Sequence, residues 1–400
     1  MVNIAILGYG TVGSGVAEVI GTNKKEIKNK AGQEIMVKHI LDLRDFPGDP
    51  YEDRVTHDFN TILNDPEIRI ICETMGGLKP AYDFTKEALS RGISVCTSNK
   101  ELVAAHGPEL IKIAREHKCN YLFEAAVGGG IPLIRVFNNC LTAERIEAVT
   151  GILNGTTNYI LTKMQNEGSP FDEVLKTAQE KGYAERNPEA DIEGYDAGRK
   201  IAILASLVSG KNMRYEDVYT EGIGKISATD FAYAKKMNSS IKLFAIFREV
   251  GRKYYAMVAP FIVDGAHPLS SVNGVFNAVF VHCNMLDDTM YYGRGAGKLP
   301  TASAVVGDVI DASKHIGTHI ICRWTEDPMD VLDFDRIRHK FFVRCEKGKE
   351  DKALELFKGA RVLSGADAIE FVFVTNEMTE KDFREKAAEL GIISRIRVME

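Results

Sequence analysis

The run Val2-Asn3-Ile4-Ala5-Ile6-Leu7 leads straight into Gly8-Tyr9-Gly10-Thr11-Val12-Gly13, and no other stretch of the chain restricts the fold so sharply. The first six residues are strand-like. Behind the glycines, Val12, Val16, Val19 and Ile20 recur at helical spacing, so the glycines stand between a strand and a helix, as the fingerprint G-x-G-x-x-G requires. Gly8 permits the tight turn, Gly10 lets backbone approach a pyrophosphate, and Gly13 lets the helix pack on the strand. The helix start at Thr11 and Val12 supplies N–H donors to the phosphates. A dinucleotide is the implied ligand.

Residues 35–41 read as the next strand, ending in Asp42-Leu43-Arg44-Asp45 where the adenosine ribose should lie. An acid at this point would bond the 2′-hydroxyl of NAD, whereas Arg44 would receive the 2′-phosphate of NADP, and both cofactors stay open. Strands are expected at 68–72, 93–97 and 121–127, with a helix at 80–89. Strands alternating with helices imply a parallel sheet of the Rossmann type. Lys100 follows a strand end, where open α/β sheets bind ligands.

A length of 400 residues exceeds one ordinary core and suggests two or three domains. We expect a dinucleotide-binding domain at 1–130, with the chain returning to it at about 300–325, an α+β catalytic and dimerisation domain at 131–299, and a small module at 338–400. Apolar and charged shares of 45% and 26% are those of a soluble globular chain, and no apolar run reaches membrane-spanning length. A strand beginning at residue 2 leaves no room for a signal peptide, so a cytoplasmic location is expected. The seven cysteines are scattered and odd in number, which argues against a disulfide framework or a zinc site. A formal net charge of -6 gives no basic surface for nucleic acid, so the ligand is small.

The chemistry concentrates between Gly182 and Lys200. Pro188 keeps Glu185 and Asp191 on irregular chain, and Asp196 and Lys200, four apart, share a helix face. Lys200 opens the apolar run Ile201-Ala202-Ile203-Leu204-Ala205-Ser206-Leu207-Val208, where desolvation favours a neutral amine while the carboxylates favour a charged one. That balance makes an acid/base; the plain alternative is a solvated loop with a surface ion pair. Asn154-Gly155-Thr156-Thr157-Asn158, rich in cap formers, reads as a helix start suited to an anion, or as an ordinary N-cap. Residues 291–300, including Gly297, read as a glycine-rich loop before a helix at 301–315. From 338 onward the order strand, helix, two strands, helix, strand is the ferredoxin-like βαββαβ motif, after a polar linker at 326–330.

With these motifs in order, the sequence closely resembles the homoserine dehydrogenases. The resemblance runs from the glycine loop to about residue 315 and is carried by Gly8 to Gly13, Glu73-Thr74-Met75-Gly76-Gly77, Ser98-Asn99-Lys100, Glu124 to Pro132, Gly151 to Asn158 and the stretch 182–200. It implies reversible hydride transfer between L-homoserine and L-aspartate 4-semialdehyde with NAD or NADP, on the route to threonine, methionine and isoleucine. In that reading Lys200 is the acid/base, with Lys100 near cofactor and substrate and each lysine lowering the other's pKa. Glu185 holds the substrate amine, Asp191 and Asp196 lie around the reacting end, Thr156 is a further substrate-binding residue, and Gly297 borders the cofactor. The resemblance also implies a sodium ion near Glu124 and the carbonyls of Val127, Gly129 and Ile131, and a homodimer or larger homo-oligomer. The 338–400 module is similar to the ACT domains of biosynthetic enzymes, which would suggest feedback by threonine, although the charged turn Glu346-Lys347-Gly348-Lys349-Glu350-Asp351 departs from their effector loop. Two other classes stay open. A semialdehyde-type aldehyde dehydrogenase would need an activated cysteine, and a nucleotide sensor would need neither Lys200 nor Glu185.

Overall fold

The computed structural model describes residues 1–365 and 368–399; Ala366, Asp367 and Glu400, within the expected C-terminal module, lie outside the described residues. Two sheets organise the chain. The first contains β1 (Val2–Leu7), β2 (Ile35–Leu41), β3 (Val55–Thr56), β4 (Ile68–Glu73), β5 (Ser94–Thr97) and β6 (Tyr121–Leu122). Its strands run parallel in the order β3-β2-β1-β4-β5-β6. Every residue of β1 is buried, as an apolar strand covered on both faces must be. Helices α1 (Thr11–Thr22), α2 (Lys24–Ala31), α3 (Phe59–Leu63), α4 (Ala81–Ser90) and α5 (Lys100–Glu116) supply the crossovers and cover. Strand order reverses at β1, so a crevice opens beyond its carboxyl end, next to that of β4.

The second sheet has eleven strands. It begins with β7 (Ile146–Ile152), β8 (Tyr219–Thr220), β9 (Ser239–Val250), β10 (Lys253–Asp264), β11 (Phe276–Cys283) and β12 (Asp287–Arg294). Helices α6 (Gly155–Glu167), α7 (Phe171–Glu180), α8 (Glu189–Ile192), α9 (Tyr195–Ser209), α10 (Ala228–Lys236) and α11 (Lys298–Lys314) go with these strands in the chain. Of these, α11 returns to the first sheet, packing on α1 where Gly15 admits Ala302 and Lys298.

The C-terminal segment adds β13 (Arg338–Glu346), α12 (Glu350–Leu356), β14 (Arg361–Val362), β15 (Glu370–Val374), β16 (Met378–Thr379), α13 (Glu380–Leu390) and β17 (Ser394–Val398). The neighbours β17-β13-β15-β14 are antiparallel, the arrangement of a βαββαβ unit. This unit is continuous with the larger sheet, because β17 pairs in parallel with β10 through Phe261 opposite Arg397 and Ile262 opposite Val398. The polar stretch before it is strapped down too: Asn212 bonds Asp327 O through its N–H and receives Met329 N–H at its carbonyl. Fully buried Arg397 seals the seam, its guanidinium bonding Glu380 at 2.6 and 3.0 Å and Glu221 at 2.7 Å.

Several local expectations change. Only Tyr121–Leu122 of the expected 121–127 strand pairs; Glu124–Ala126 turns as a 3-10 helix, and a π-helical stretch follows at Val136–Cys140. Tyr291 to Arg294 belong to β12 and not to a loop, and Pro300 is the third residue of α11. Asp191 lies within the single turn of α8, so Pro188 precedes a short helix and does not impose irregular chain throughout. The long strand β9 falls outside the segments the sequence marks, since Lys242, Arg248 and Glu249 interrupt its apolar run.

Removing one partner of a buried ion pair leaves the other charge stranded, at a cost of about 3–5 kcal/mol. Arg397→Met, which leaves Glu380 only His339 (3.0 Å) as a partner, should therefore lower unfolding free energy by up to about that amount in urea titration. An unchanged transition would show that the seam does not depend on this charge.

Candidate active site

Gly8 has φ +88°, a left-handed turn that glycine adopts without strain. A Cβ on Gly13 would sit 1.9 Å from the Gly8 carbonyl oxygen, so only glycine permits α1 to start this close to β1. Gly10 differs. A Cβ there would meet no protein atom within 4 Å, so nothing inside the chain demands glycine; open space above the start of α1 does, if a phosphate is to reach the N–H groups of Thr11 and Val12. Gly297, with φ +122°, caps the facing helix α11.

At the end of β2, Asp42 turns inward. One carboxylate oxygen accepts from Tyr9 N (2.7 Å) and an Arg44 terminal nitrogen (3.0 Å), the other from Arg44 N (3.0 Å) and Nε (2.9 Å). Its pKa falls to about 2, chiefly through Arg44, with burial opposing. Four donors leave Asp42 little capacity for a ribose hydroxyl. Arg44 is well exposed, its guanidinium 5.1 Å from the Phe46 ring centre.

The second cluster forms where α5 of the first sheet meets α9 of the second. Lys200 Nζ donates to Asp196 Oδ2 at 2.6 Å and to Leu153 O at 2.8 Å. Lys100 Nζ lies 2.8 Å from Asp196 Oδ1, an ion-pair distance but off the direction of a hydrogen bond. One carboxylate thus holds two ammonium groups. Asn154 caps α6 by accepting from Thr157 N, and its amide donates to Asp191 (2.6 Å) and Asp196 (3.0 Å). Burial opposes ionisation of Asp196, yet Lys200 and Lys100 prevail and hold its pKa well below the usual carboxylate range. Asp191 moves the other way, raised by burial and by the Asp196 charge although Asn154 opposes this.

The mutual lowering of the two lysine pKa values is not what the structure shows for Lys100. Burial lowers its pKa, but the intervening Asp196 outweighs this and raises it. Glu185 is exposed, and its carboxylate takes no partner among the described residues. Thr156 Oγ1 donates to Tyr183 O at 2.7 Å, tying the start of α6 to the loop that carries Glu185. Asn154, which joins both acids, reads in the sequence only as a cap former.

Glu124 is fully engaged as a cap. Its buried carboxylate accepts from Leu133 N, Ile134 N and Arg135 N at 2.6, 3.0 and 2.8 Å, and from Arg135 Nε at 3.1 Å. That leaves the carboxylate little capacity to ligate an ion itself, so an ion near Glu124 would be held by the neighbouring carbonyls. Gly128 and Gly129 both have positive φ, and among the described residues no donor reaches the carbonyls of Val127, Gly129 or Ile131. Those three oxygens have the hard-ligand chemistry that a sodium ion requires.

A G-x-G-x-x-G turn on a parallel sheet, together with a lysine–carboxylate cluster where α5 of that sheet meets α9, is a combination suited to a pyridine-nucleotide dehydrogenase. Residues 8–124 match the family model described as homoserine dehydrogenase, NAD binding domain, and residues 132–310 the one described as homoserine dehydrogenase. The chain is 36% identical to a homoserine dehydrogenase of Bacillus subtilis over 96% of this chain and 93% of that protein. It is 45% identical to one from Synechocystis over 78% and 73% respectively. The crystal structure of a homoserine dehydrogenase from Thiobacillus denitrificans superposes with a TM-score of 0.91 at 33% identity, covering 100% of this chain and 98% of that one. A hyperthermophilic archaeal homoserine dehydrogenase mutant in complex with NADPH gives 0.67 at 30% identity, covering 78% and 97%. The chain belongs to the homoserine dehydrogenases, NAD(P)-dependent oxidoreductases that interconvert L-homoserine and L-aspartate 4-semialdehyde.

The bridge has a definite pH signature. Because the Asp196 pKa is depressed in the fold, its stabilisation is present above the unfolded value, about 4, and is lost as pH falls through the folded value. Asp196→Asn should melt several degrees below the parent at neutral pH, with the gap closing as pH drops below about 4. A gap independent of pH would exclude the charge as its origin.

Proposed function

We propose that Lys200 is the acid/base of this reaction and that Asp196 keeps it aimed. The supporting observation is the pair of hydrogen bonds from Nζ to Asp196 and Leu153 O, which fix a buried amine between a carboxylate and a carbonyl. A bound nicotinamide would supply the hydride acceptor for the alcohol carbon. In that direction the neutral amine form of Lys200, its ammonium proton first released to solvent, takes the hydroxyl proton; in the reverse direction the ammonium form gives a proton to the forming alkoxide. Asp196, held ionised, orients without accepting that proton. Lys100 stays cationic and offers its charge to the oxygen as it becomes anionic. Asp191, facing Asn154 and Asp196, is the better-sited carboxylate for the substrate amine, with Thr156 beside it; Glu185 can serve only by a movement of its loop.

For the cofactor we assign NADP, because Asp42 is saturated by donors while the Arg44 guanidinium is exposed at the strand end. Val127, Gly129 and Ile131 would hold the sodium ion, with Glu124 shaping the turn from behind. The βαββαβ order of the C-terminal segment supports an ACT-like reading. Exposed Met290 and Tyr292 on the edge strand β12 support a homo-oligomer.

Nicotinamide absorbance recorded with homoserine and each dinucleotide tests the assignment. Lys200→Ala should lose about 10²–10⁴-fold in turnover while still binding dinucleotide; near-parental turnover would overturn its role. Arg44→Ala should weaken NADP roughly 10- to 100-fold, the loss of a charge-assisted contact, and leave NAD nearly unchanged. An unaltered NADP/NAD affinity ratio would remove Arg44 from the phosphate site.

A further inference from the structure

Glu221 lies outside every motif of the active site, yet it joins the C-terminal unit to the segment that carries Asp191. On one side its carboxylate is gripped by β17: Arg395 reaches both oxygens at 2.8 and 2.7 Å, Arg397 reaches one at 2.7 Å, and Tyr219 OH donates at 3.2 Å. Burial opposes its charge, but Arg397 and Arg395 prevail and hold it ionised. Its backbone N–H bonds Val258 O at 2.8 Å, which anchors the residue to β10.

On the other side the chain from β8 to Ile223 lies against α8 and α9. Ile223 N donates to Ile192 O at 3.0 Å. Gly222 touches the same peptide so closely that a Cβ would stand 2.4 Å from Ile192 O and 2.8 Å from Glu193 Cα. Gly194 is equally confined, its Cβ position 2.9 Å from Val258 Cγ1, and Gly198 of α9 packs on Thr220. Ile192 follows Asp191, and Gly194 precedes Asp196 by two. The far end of the strip is gripped as well: Arg344 of β13 bonds Ser227 Oγ (2.9 Å) and Asp230 (2.8 Å), and Ser394 Oγ bonds Asp230 (3.0 Å).

We propose that Glu221 is a positioning residue for homoserine binding, through which the arginines of the C-terminal unit set the place of Asp191. The path is continuous and short: Arg395 and Arg397, the Glu221 carboxylate, the Gly222–Ile223 backbone, the Ile192 carbonyl, then Asp191 with its bond to Asn154. Tight backbone contacts at Gly222 and Gly194 pass on a shift, because packed peptide groups cannot absorb it. The dinucleotide turn on the first sheet shares none of these contacts. This inference rests on Asp191 facing the substrate amine.

The test uses the full chain and three variants, Arg395→Met, Glu221→Gln and Asp191→Asn, with KM for homoserine, kcat and dinucleotide Kd measured on each. Arg395 lies at the rim of the seam, and its loss leaves the Arg397–Glu221 bond in place, so that variant keeps the fold. Arg395→Met and Glu221→Gln should each raise KM about tenfold, a usual size for coupling between linked sites, with kcat and dinucleotide Kd near parental. Combining Arg395→Met with Asp191→Asn should raise KM by less than the product of the single effects. An unchanged KM in Arg395→Met and Glu221→Gln, with KM raised in Asp191→Asn, would overturn the positioning role alone. An unchanged KM in Asp191→Asn would overturn the placement of Asp191 and this inference with it. A fall in kcat at constant KM would mark a purely structural seam and also overturn it.

Discussion

The carboxylate of Asp196 is the constraint on which the active site depends. It is buried and holds two lysines, one from the helix after β5 and one from its own helix, so it ties the first sheet's α5 to α9 of the second. A buried negative charge is tolerable only while a positive partner remains beside it. Asn154 supplies a further donor to it and passes the constraint to Asp191. The placement of Lys200 is therefore set by electrostatics and hydrogen bonds, and not by helix geometry alone.

Around this bridge the molecule divides its tasks between two kinds of sheet. The parallel sheet presents backbone, since its glycine turn and helix start offer N–H groups that recognise phosphate without side chains. The larger sheet presents side chains from the helices laid on it and extends without interruption into the βαββαβ unit. That continuity ties residues 338–400 to the segment that carries Asp191, through buried charge at Arg397, Arg395 and Glu221.

Electrostatic detail separates residues that the sequence presents as equals. Asp42, Glu124, Glu185 and Asp191 are four acids in or near family motifs. Asp42 is saturated by Arg44 and Tyr9, Glu124 caps the chain at residues 133–135, and Glu185 is in solvent. Asp191 alone of the four lies beside the paired lysine and is pulled upward in pKa by burial and by Asp196. Their roles follow from which donors reach them, and donors arrive from distant parts of the chain.

The sequence by itself determined the dinucleotide turn, the parallel sheet around it, the βαββαβ order at the end and the pairing of Asp196 with Lys200. Each rests on local chemistry: glycine where a turn or close approach needs it, apolar periodicity, and a four-residue spacing on one helix. Only the tertiary structure decided that Lys100 shares the same carboxylate, that Glu124 is a cap and Glu185 is exposed. It also decided that β9 runs as a long strand in spite of its charges and that β17 joins β10. Those outcomes depend on contacts between residues tens to hundreds of positions apart, where burial and the arrival of a partner charge override local preference.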